Sequence, residues 1–485
     1  MYKVFFLQPP SPPFKDVDRE FTAGLGQASD ARRATWGHSR YPFFNHSLAW
    51  TAGILEEAGY DVFFYDGQAE GWGKDDTIEH IKNIDPRILV ILVNLPTLSE
   101  DLSLIGEIKK NIKSLKIITV GTVCRIFPQI ILDTDDVDFV SIGDPEGTIK
   151  HLVGCLHSNR DVSAISGLAY KIDSKIKFTS LDKLMVDIDE LPMIPYHLLP
   201  MEKYKGQYFA KGKNIAPIIS SRGCPFKCSY YCPYPIGYGS QVRFRSPKKV
   251  VAEIETLVKK YRIKNLIFRD QNFTINSEHA KKICQGIVDK GLSINWVCET
   301  RLSLMGDMNL LKLMREAGCT QINFGLESGD PELFEKIGKP GTTYNQIEEA
   351  TKDVKEAGIK AHAHIIIGLP GETWKTIRNT CQLLRVCPFD SVNFSIMTAY
   401  PGTRFYEEAK EKKYILTDDI SKYSHTNVVV RTESMSGLEL KLAQLYLNHR
   451  FGHTSLMSNL CSKIIRNSKK IGHKLRHTMV GDVSS

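Results

Sequence analysis

The chain has no hydrophobic run long enough to cross a membrane. Its longest apolar stretch, "ILVILVNL" at 88 to 95, falls far short of the roughly 20 residues a spanning helix needs and reads as a buried strand. The opening "MYKVFFLQPP" has too short an apolar run for a secretory leader, and its prolines end that run at once, so a cytoplasmic location is expected. No low-complexity or repeated segment points to disorder or to a fibrous protein. The eleven cysteines, an odd number scattered through 485 residues, do not form a disulfide framework and fit a reducing compartment. A net excess of either charge sign is almost missing from the body. The net charge is +8, and from Lys441 onward eight Lys or Arg stand against Asp482 alone, so +7 of it falls in the last 45 residues. A whole-surface grip on nucleic acid is thereby disfavoured.

What is present is an ordinary soluble composition, 42% hydrophobic and 24% charged, long enough for two or three domains. Residues 1–157 alternate strand candidates with helical patterns. The strands are "KVFFL" (3 to 7), "DVFFYDG" (61 to 67), "ILVILVN" (88 to 94), "KIITVGT" (116 to 122) and "DFVSIGD" (138 to 144). Continuous apolar strands joined through amphipathic helices predict a doubly wound parallel sheet, α/β in class. Ligands of such sheets sit beyond the carboxyl ends of the strands, which here carry Gln8 to Pro10, Asn94 to Thr97, Gly121-Thr122 and Gly143 to Glu146.

Residues 158–213 hold a hairpin candidate, "SGLAYKIDSKIKFTS", and a proline-rich linker, "DELPMIPYHLLP". From 214 to 412 a second alternation runs through "IAPIISS", "NLIFRDQ", "INWVCET", "QINFGLE", "AHAHIIIGL" and "SVNFSIM". Six β/α units predict a partial barrel with its chemistry at the carboxyl ends of the strands. Residues 413–485 read as a helical region. It ends in a basic tail whose Met457, Leu460, Ile464, Ile471 and Leu475 share one helical face. Such a tail suits a peripheral membrane contact or an anionic ligand, or a helix docked on the barrel with its basic face solvated.

Directly after the first barrel strand comes "SRGCPFKCSYYCPYP", which crowds Cys224, Cys228 and Cys232 into nine positions. Three thiolates three to four residues apart can wrap one corner of a cubane iron-sulfur cluster and leave one iron open to a chelating ligand. Zinc commonly takes four ligands, and nothing nearby supplies the fourth. The other cysteines read as apolar fillers, Cys298 being the one near a strand end.

The triplet together with "NFGLESGD" (323 to 330), "HIIIGLPGET" (364 to 373) and "YPGTRF" (400 to 405) resembles the radical S-adenosylmethionine (SAM) superfamily. With the N-terminal sheet, "FRDQNFTIN" and "CETRLSL", the resemblance narrows to its cobalamin-dependent branch of methyltransferases and the anaerobic porphyrin cyclase, over most of residues 1–410. It implies a [4Fe-4S] cluster whose open iron chelates SAM, and reductive cleavage of SAM to a 5'-deoxyadenosyl radical. Tyr231 matches the adenine-contacting aromatic, and Glu327, between Gly325 and Gly329, the acid that contacts the SAM amine or ribose. Gly368 matches the close approach of backbone to adenine. Arg301 is suited to the SAM carboxylate or to a structural ion pair. Asp270 and Asn272 suit SAM, substrate or a strand-end cap.

For cobalamin, the resemblance implicates Asn94, Thr97, Gly121, Thr122, Gly143, Pro145 and Glu146. The stretch "LQPPSPPFKD", where many corrinoid domains carry a cobalt-ligating histidine, has none, which implies cobalamin without a lower histidine ligand. The expected activity is methylation of an unactivated carbon of a small-molecule or lipid substrate. Oxidative cyclisation or rearrangement is the alternative, and an electron donor such as flavodoxin or ferredoxin is implied. A tRNA-modifying member would carry further cluster cysteines in its N-terminal domain, whereas residues 1–157 contain only Cys124 and Cys155. The cysteine spacing is one residue longer than the family's. Aligned from the right, Tyr231-Cys232-Pro233 falls into place and the extra residue is Ser229 or Tyr230.

Overall fold

The computed structural model describes residues 2–13, 15–30, 43–182, 185–206, 212–339 and 343–452. The basic tail expected to form an amphipathic helix lies outside the described residues. Two compact units divide the chain: Met1–Pro225 with Pro233–Ile267 and Asp419–Ser424, and Phe226–Cys232 with Phe268–Asp418 and His425–Ser485.

In the first unit the five expected strands form a parallel sheet in the order Asp61–Asp66, Lys3–Gln8, Ile88–Leu92, Lys116–Val120 and Phe139–Ser141. The inner strands are buried on both faces. Val4 to Leu7 and Ile88 to Val93 are at most 1% exposed, which is why they read as unbroken apolar runs. Helix His46–Glu57 is capped by Asn45, whose side chain accepts the Leu48 N–H at 3.0 Å. Helix Pro145–His157 opens with proline at its first position.

The hairpin Leu168–Ile172 and Lys175–Phe178 departs from its expected place in a linker. It pairs antiparallel against Phe139–Ser141 and extends the same sheet to seven strands. The sheet therefore does not stop at residue 157. An edge strand left uncovered exposes unpaired backbone groups, and the hairpin supplies their partners. Residues 214–225 and 233–267, expected to belong with the barrel, also fall in the first unit.

The expected barrel strands are all present. Ile215–Ile218 neighbours Asn265–Phe268. In the second unit Asn295–Thr300, Cys319–Glu327, Lys360–Ile367 and Ser391–Ile396 pair in parallel and in chain order. Each strand of this second unit but the last is followed by a helix with a buried apolar stripe, such as Tyr344–Glu356 and Trp374–Val386. Both of these helices start at threonine capping boxes, Thr343 and Thr373. No helix among the described residues is long and apolar enough to cross a membrane.

Candidate functional site

The cysteine loop shows how its unusual spacing is accommodated. Lys227–Tyr230 is a short 3-10 helix, and the Cys232 N–H donates to the Cys228 carbonyl at 3.0 Å. Residues four apart on a helical turn share a face, and the Cys228 and Cys232 thiols accordingly hydrogen-bond. The added residue is absorbed in this turn. Tyr230 leans outward, its hydroxyl donating to Glu408 and its ring 5.8 Å from Phe405. Tyr231 is buried instead, 7% exposed. In the first unit Cys224 is buried and its N–H donates to the Gly239 carbonyl at 3.1 Å.

The surroundings favour thiolate. The hydrogen bond from Cys232, followed by Lys339 and Arg301, brings Cys228 down to about 6 against the cost of burial. Arg301 Nη1 lies 4.0 Å from Cys228 Sγ, and its guanidinium 4.0 Å from the Phe226 ring centre. Glu327 acts in the opposite sense on Cys228 and helps to keep the Tyr231 hydroxyl protonated. Tyr231, Arg301, Glu327 and the two cysteines thus form one group, as the sequence predicts.

Glu327 is held in an unusual way. It ends its strand at φ +68, and the register against the next strand shifts between Gly325 and Glu327. This local bulge in the left-handed region is uncommon for a residue with a side chain. The carboxylate folds back over Gly325, where a Cβ would lie 2.6 Å from Glu327 Oε1, so a larger residue there would displace it. Lys339, a residue sequence reasoning missed, fixes the arrangement. Its buried Nζ donates to the Gly325 carbonyl and pairs with Glu327 Oε1 at 3.0 Å. No spacing signal marks this lysine, which reaches the site from the turn after helix Pro331–Lys336. Arg301, Ser303, Gly325, Phe334 and Lys339 border a cavity of about 240 Å³.

Two other predicted positions have surroundings of their own. Asp270 is buried near Cys298, where it adds to the burial that keeps that thiol protonated. Gly368, at φ +96, donates its N–H to Glu372 Oε2 at 2.7 Å, and the neighbour a Cβ would meet there is Leu440 at 3.2 Å. Among the described residues no three His, Cys, Asp or Glu side chains converge on one metal ion. A cubane spreads its thiolates around four irons and needs no such convergence.

A second cavity opens at the carboxyl ends of the first unit's sheet. Gly121, Thr122, Gly143 and Pro145 line it as predicted, with Arg125 and Asp144 beside them. Gly121 sits at φ +126, and a Cβ there would approach the Val93 carbonyl to 2.5 Å, so the position requires glycine. Arg222, Gly237 and Tyr238, which flank the cysteine loop in sequence, line the same cavity.

Asn94, Thr97 and Glu146 do not line it, contrary to expectation. Asn94 accepts from Arg19 Nη1 at 2.9 Å and donates to the Arg19 and Gly24 carbonyls, while Thr97 donates to Asp101, the partner of Arg19. Their polar atoms are thus engaged in holding the buried Arg19 in place. Glu146 is taken up by Arg222.

The sequence profile of the radical SAM superfamily matches residues 218–384. An uncharacterised methyltransferase of Pyrococcus horikoshii is 33% identical over 395 residues, 81% of this chain and 84% of the relative. The anaerobic magnesium-protoporphyrin IX monomethyl ester cyclase of Rubrivivax gelatinosus is 28% identical over 412 residues, 83% of this chain and 72% of the relative. In fold, the cobalamin-dependent SAM radical enzyme OxsB, solved with aqua-cobalamin and SAM bound, aligns with a TM-score of 0.74 over 98% of this chain and 72% of that one, at 15% identity. The chain belongs to the radical SAM superfamily.

Proposed function

We propose that the chain is a cobalamin-dependent radical SAM methyltransferase acting on an unactivated carbon of a small-molecule substrate. Cys224, Cys228 and Cys232 hold the [4Fe-4S] cluster, and Tyr231, Arg301 and Glu327 bind SAM. When bound, the cluster and SAM supply radical chemistry by one-electron reductive cleavage, and cobalamin supplies a methyl carrier.

The observation that carries the SAM half is the grouping of Cys228 and Cys232 with Arg301, Glu327 and Lys339. Arg301 presents a planar fork suited to a carboxylate and helps to favour the Cys228 thiolate. Lys339 holds the Glu327 carboxylate against Gly325, leaving the Arg301 fork to a second carboxylate. A partly buried acid pinned by one cation is pre-organised to accept from an ammonium group.

The cobalamin half is supported by the cavity at the carboxyl ends of the first unit's sheet. Its glycines bring peptide groups to the surface for a large polar cofactor. Residues on both sides of the cysteine loop share that lining, which favours coupled use of the two cofactors. Asp270 and Gly368 then act through neighbouring structure. A one-electron donor such as flavodoxin or ferredoxin completes the requirement. The cyclase relative favours a second reading, oxidative cyclisation without methyl transfer.

Anaerobic reconstitution with iron, sulfide and hydroxocobalamin, followed by optical and paramagnetic spectra, tests the cofactor assignment. A cluster without bound corrinoid would remove the cobalamin half. A product heavier by one CH2 supports methyl transfer and excludes cyclisation.

A further inference from the structure

The strands Cys319–Glu327, Lys360–Ile367 and Ser391–Ile396 have two chemically different faces. One is apolar and buried, with Phe324, Ala363, Ile365 and Phe394 at most 2% exposed. The other carries Asn323, His362, His364, Ser391, Asn393 and Ser395, all but Asn323 partly exposed. The register sets Asn323 beside His362 and His362 beside Ser391, then Gly325 beside His364 and His364 beside Asn393. The two imidazoles stand edge to face, 4.7 Å apart, and His362 Nδ1 is 2.6 Å from Ser391 Oγ.

A third imidazole joins them. The His425 carbonyl accepts from the Ile396 N–H at 2.6 Å, which ties it to the carboxyl end of the same sheet. Its Nδ1 is buried and has no hydrogen-bond partner among the described residues. Burial first, then His364 and Lys441, push His425 down to about 4, the direction neighbouring cations impose and a bound anion reverses. Lys441 spends its hydrogen bonds on neutral groups, the Thr426 carbonyl and Gln444 Oε1. The four parallel strands of this unit carry two carboxylates. Glu327 is taken by Lys339. Glu299 stands beside Asn323, two strands from His362, or about 10 Å at ordinary strand spacing. Asp390, just before the last strand, accepts from the Ala361 N–H.

A hydrocarbon laid on this face would strip water from these polar groups and leave them unpaired, at roughly 1 to 3 kcal/mol each. An anion would gain donors at His425 and Lys441, neither of which has a carboxylate among the groups acting on it. We propose that this face receives an anionic group of the substrate, a carboxylate or phosphate, bound by His364, His425 and Lys441 with His362 and Asn393 as neighbouring donors. The assignment rests on the radical SAM reading. His364 lies beside Gly325 in register, so the anion would fix the substrate next to the strand that ends in Glu327, with its reacting carbon toward that end.

Equilibrium dialysis of the reconstituted full chain with labelled inorganic phosphate and, separately, succinate tests this, with His364→Asn, His425→Gln and Lys441→Met in parallel. Saturable binding of either probe, weakened about tenfold or more in the variants, is the expected result, and the preferred probe separates phosphate from carboxylate. Circular dichroism and iron content establish folding, and Lys441→Met decides if the histidine variants fail to fold. Absence of binding by the wild type, or variants that bind as it does, overturns the proposal. Saturable zinc binding without anion binding also overturns it, in favour of a metal site. SAM cleavage by the wild type is measured separately, so a failure of the underlying radical SAM reading is distinguished from a failure of the anion site.

Discussion

Arg222 and Glu146 form a 3.0 Å ion pair in which neither side chain is more than 1% exposed. Arg222 stands two residues before Cys224, and Glu146 in the first turn of helix Pro145–His157. Asp144 lies 3.8 Å from Arg222 and also pairs with Arg125 at 2.6 Å and Arg243 at 2.7 Å. The guanidinium packs 5.2 Å from the Trp50 ring centre and 5.5 Å from that of Tyr238. The approach to the cysteine loop is thereby anchored at the cavity end of the N-terminal sheet.

Breaking a buried pair leaves an uncompensated charge, which typically costs about 3 to 5 kcal/mol. Glu146→Gln and Arg222→Met are each expected to destabilise the first unit by roughly that amount. Arg222→Met with Glu146→Gln should cost less than the two single losses together, because no charge of the pair is then stranded. Denaturant unfolding of the single and double variants measures this, and additive losses would count against the pair as the anchor.

Lys339→Met is expected to weaken SAM binding by roughly 10- to 100-fold, the loss of about 1.5 to 3 kcal/mol associated with a charge-assisted hydrogen bond. Without Lys339, Glu327 loses its fixed position over Gly325 and Cys228 loses a nearby cation. Dialysis of labelled SAM against the reconstituted protein is the measurement. Unchanged affinity would reduce Lys339 to a loop support.

Glu372 gives a pH dependence with a definite sign. Burial lifts it to about 7 from 4.5, against hydrogen bonds from the Gly368 and Leu369 N–H groups and the Thr376 hydroxyl. The folded chain therefore keeps this proton where the unfolded chain has released it. Stability associated with the protonated form is fully present below about 4.5 and is lost as pH rises through about 7, by about 3 kcal/mol in all. Glu372→Gln should remove that loss. Denaturant midpoints of wild type and variant between pH 5 and 8 measure it, and parallel curves would show that the group is ionised throughout.

The strands were legible in the sequence because burial on both faces leaves unbroken apolar runs, as at Ile88–Leu92. The grouping of Tyr231, Arg301 and Glu327 was legible because strand-end motifs recur in order. Lys339 was not, since a lysine in a turn carries no periodic signal and its role exists only through the folded path of the loop. For a related reason the sequence does not show what Asn94 and Thr97 touch: it locates them at a strand end, but not the buried Arg19 that occupies their hydrogen bonds. The hairpin at 168–178 was recognised as a hairpin, while its pairing partner was a property of the sheet edge.

Tyr230, with Ser229 one of the two positions to which the sequence assigns the added residue of the cysteine loop, gives the most direct test of that spacing. Because the Cys228–Cys232 step is closed by a backbone hydrogen bond across a helical turn, the added residue needs an anchor rather than a role in ligation. That anchor is the helix Arg404–Glu411, through Glu408, Phe405 and the Arg404 guanidinium 5.9 Å from the Tyr230 ring. Tyr230→Phe removes the hydrogen bond to Glu408, and at this partly exposed position a loss of about 1 kcal/mol is expected, with cluster content unchanged. Tyr230→Ala also removes the ring packing and should raise the loss to about 2 to 3 kcal/mol while the protein still takes up iron and sulfide. Cys232→Ala, by contrast, should leave a protein of near wild-type stability that cannot assemble a full, SAM-cleaving cluster. Thermal unfolding combined with iron analysis separates the cases. A Tyr230 variant that lost the cluster at unchanged stability would instead make the added residue part of the ligation geometry.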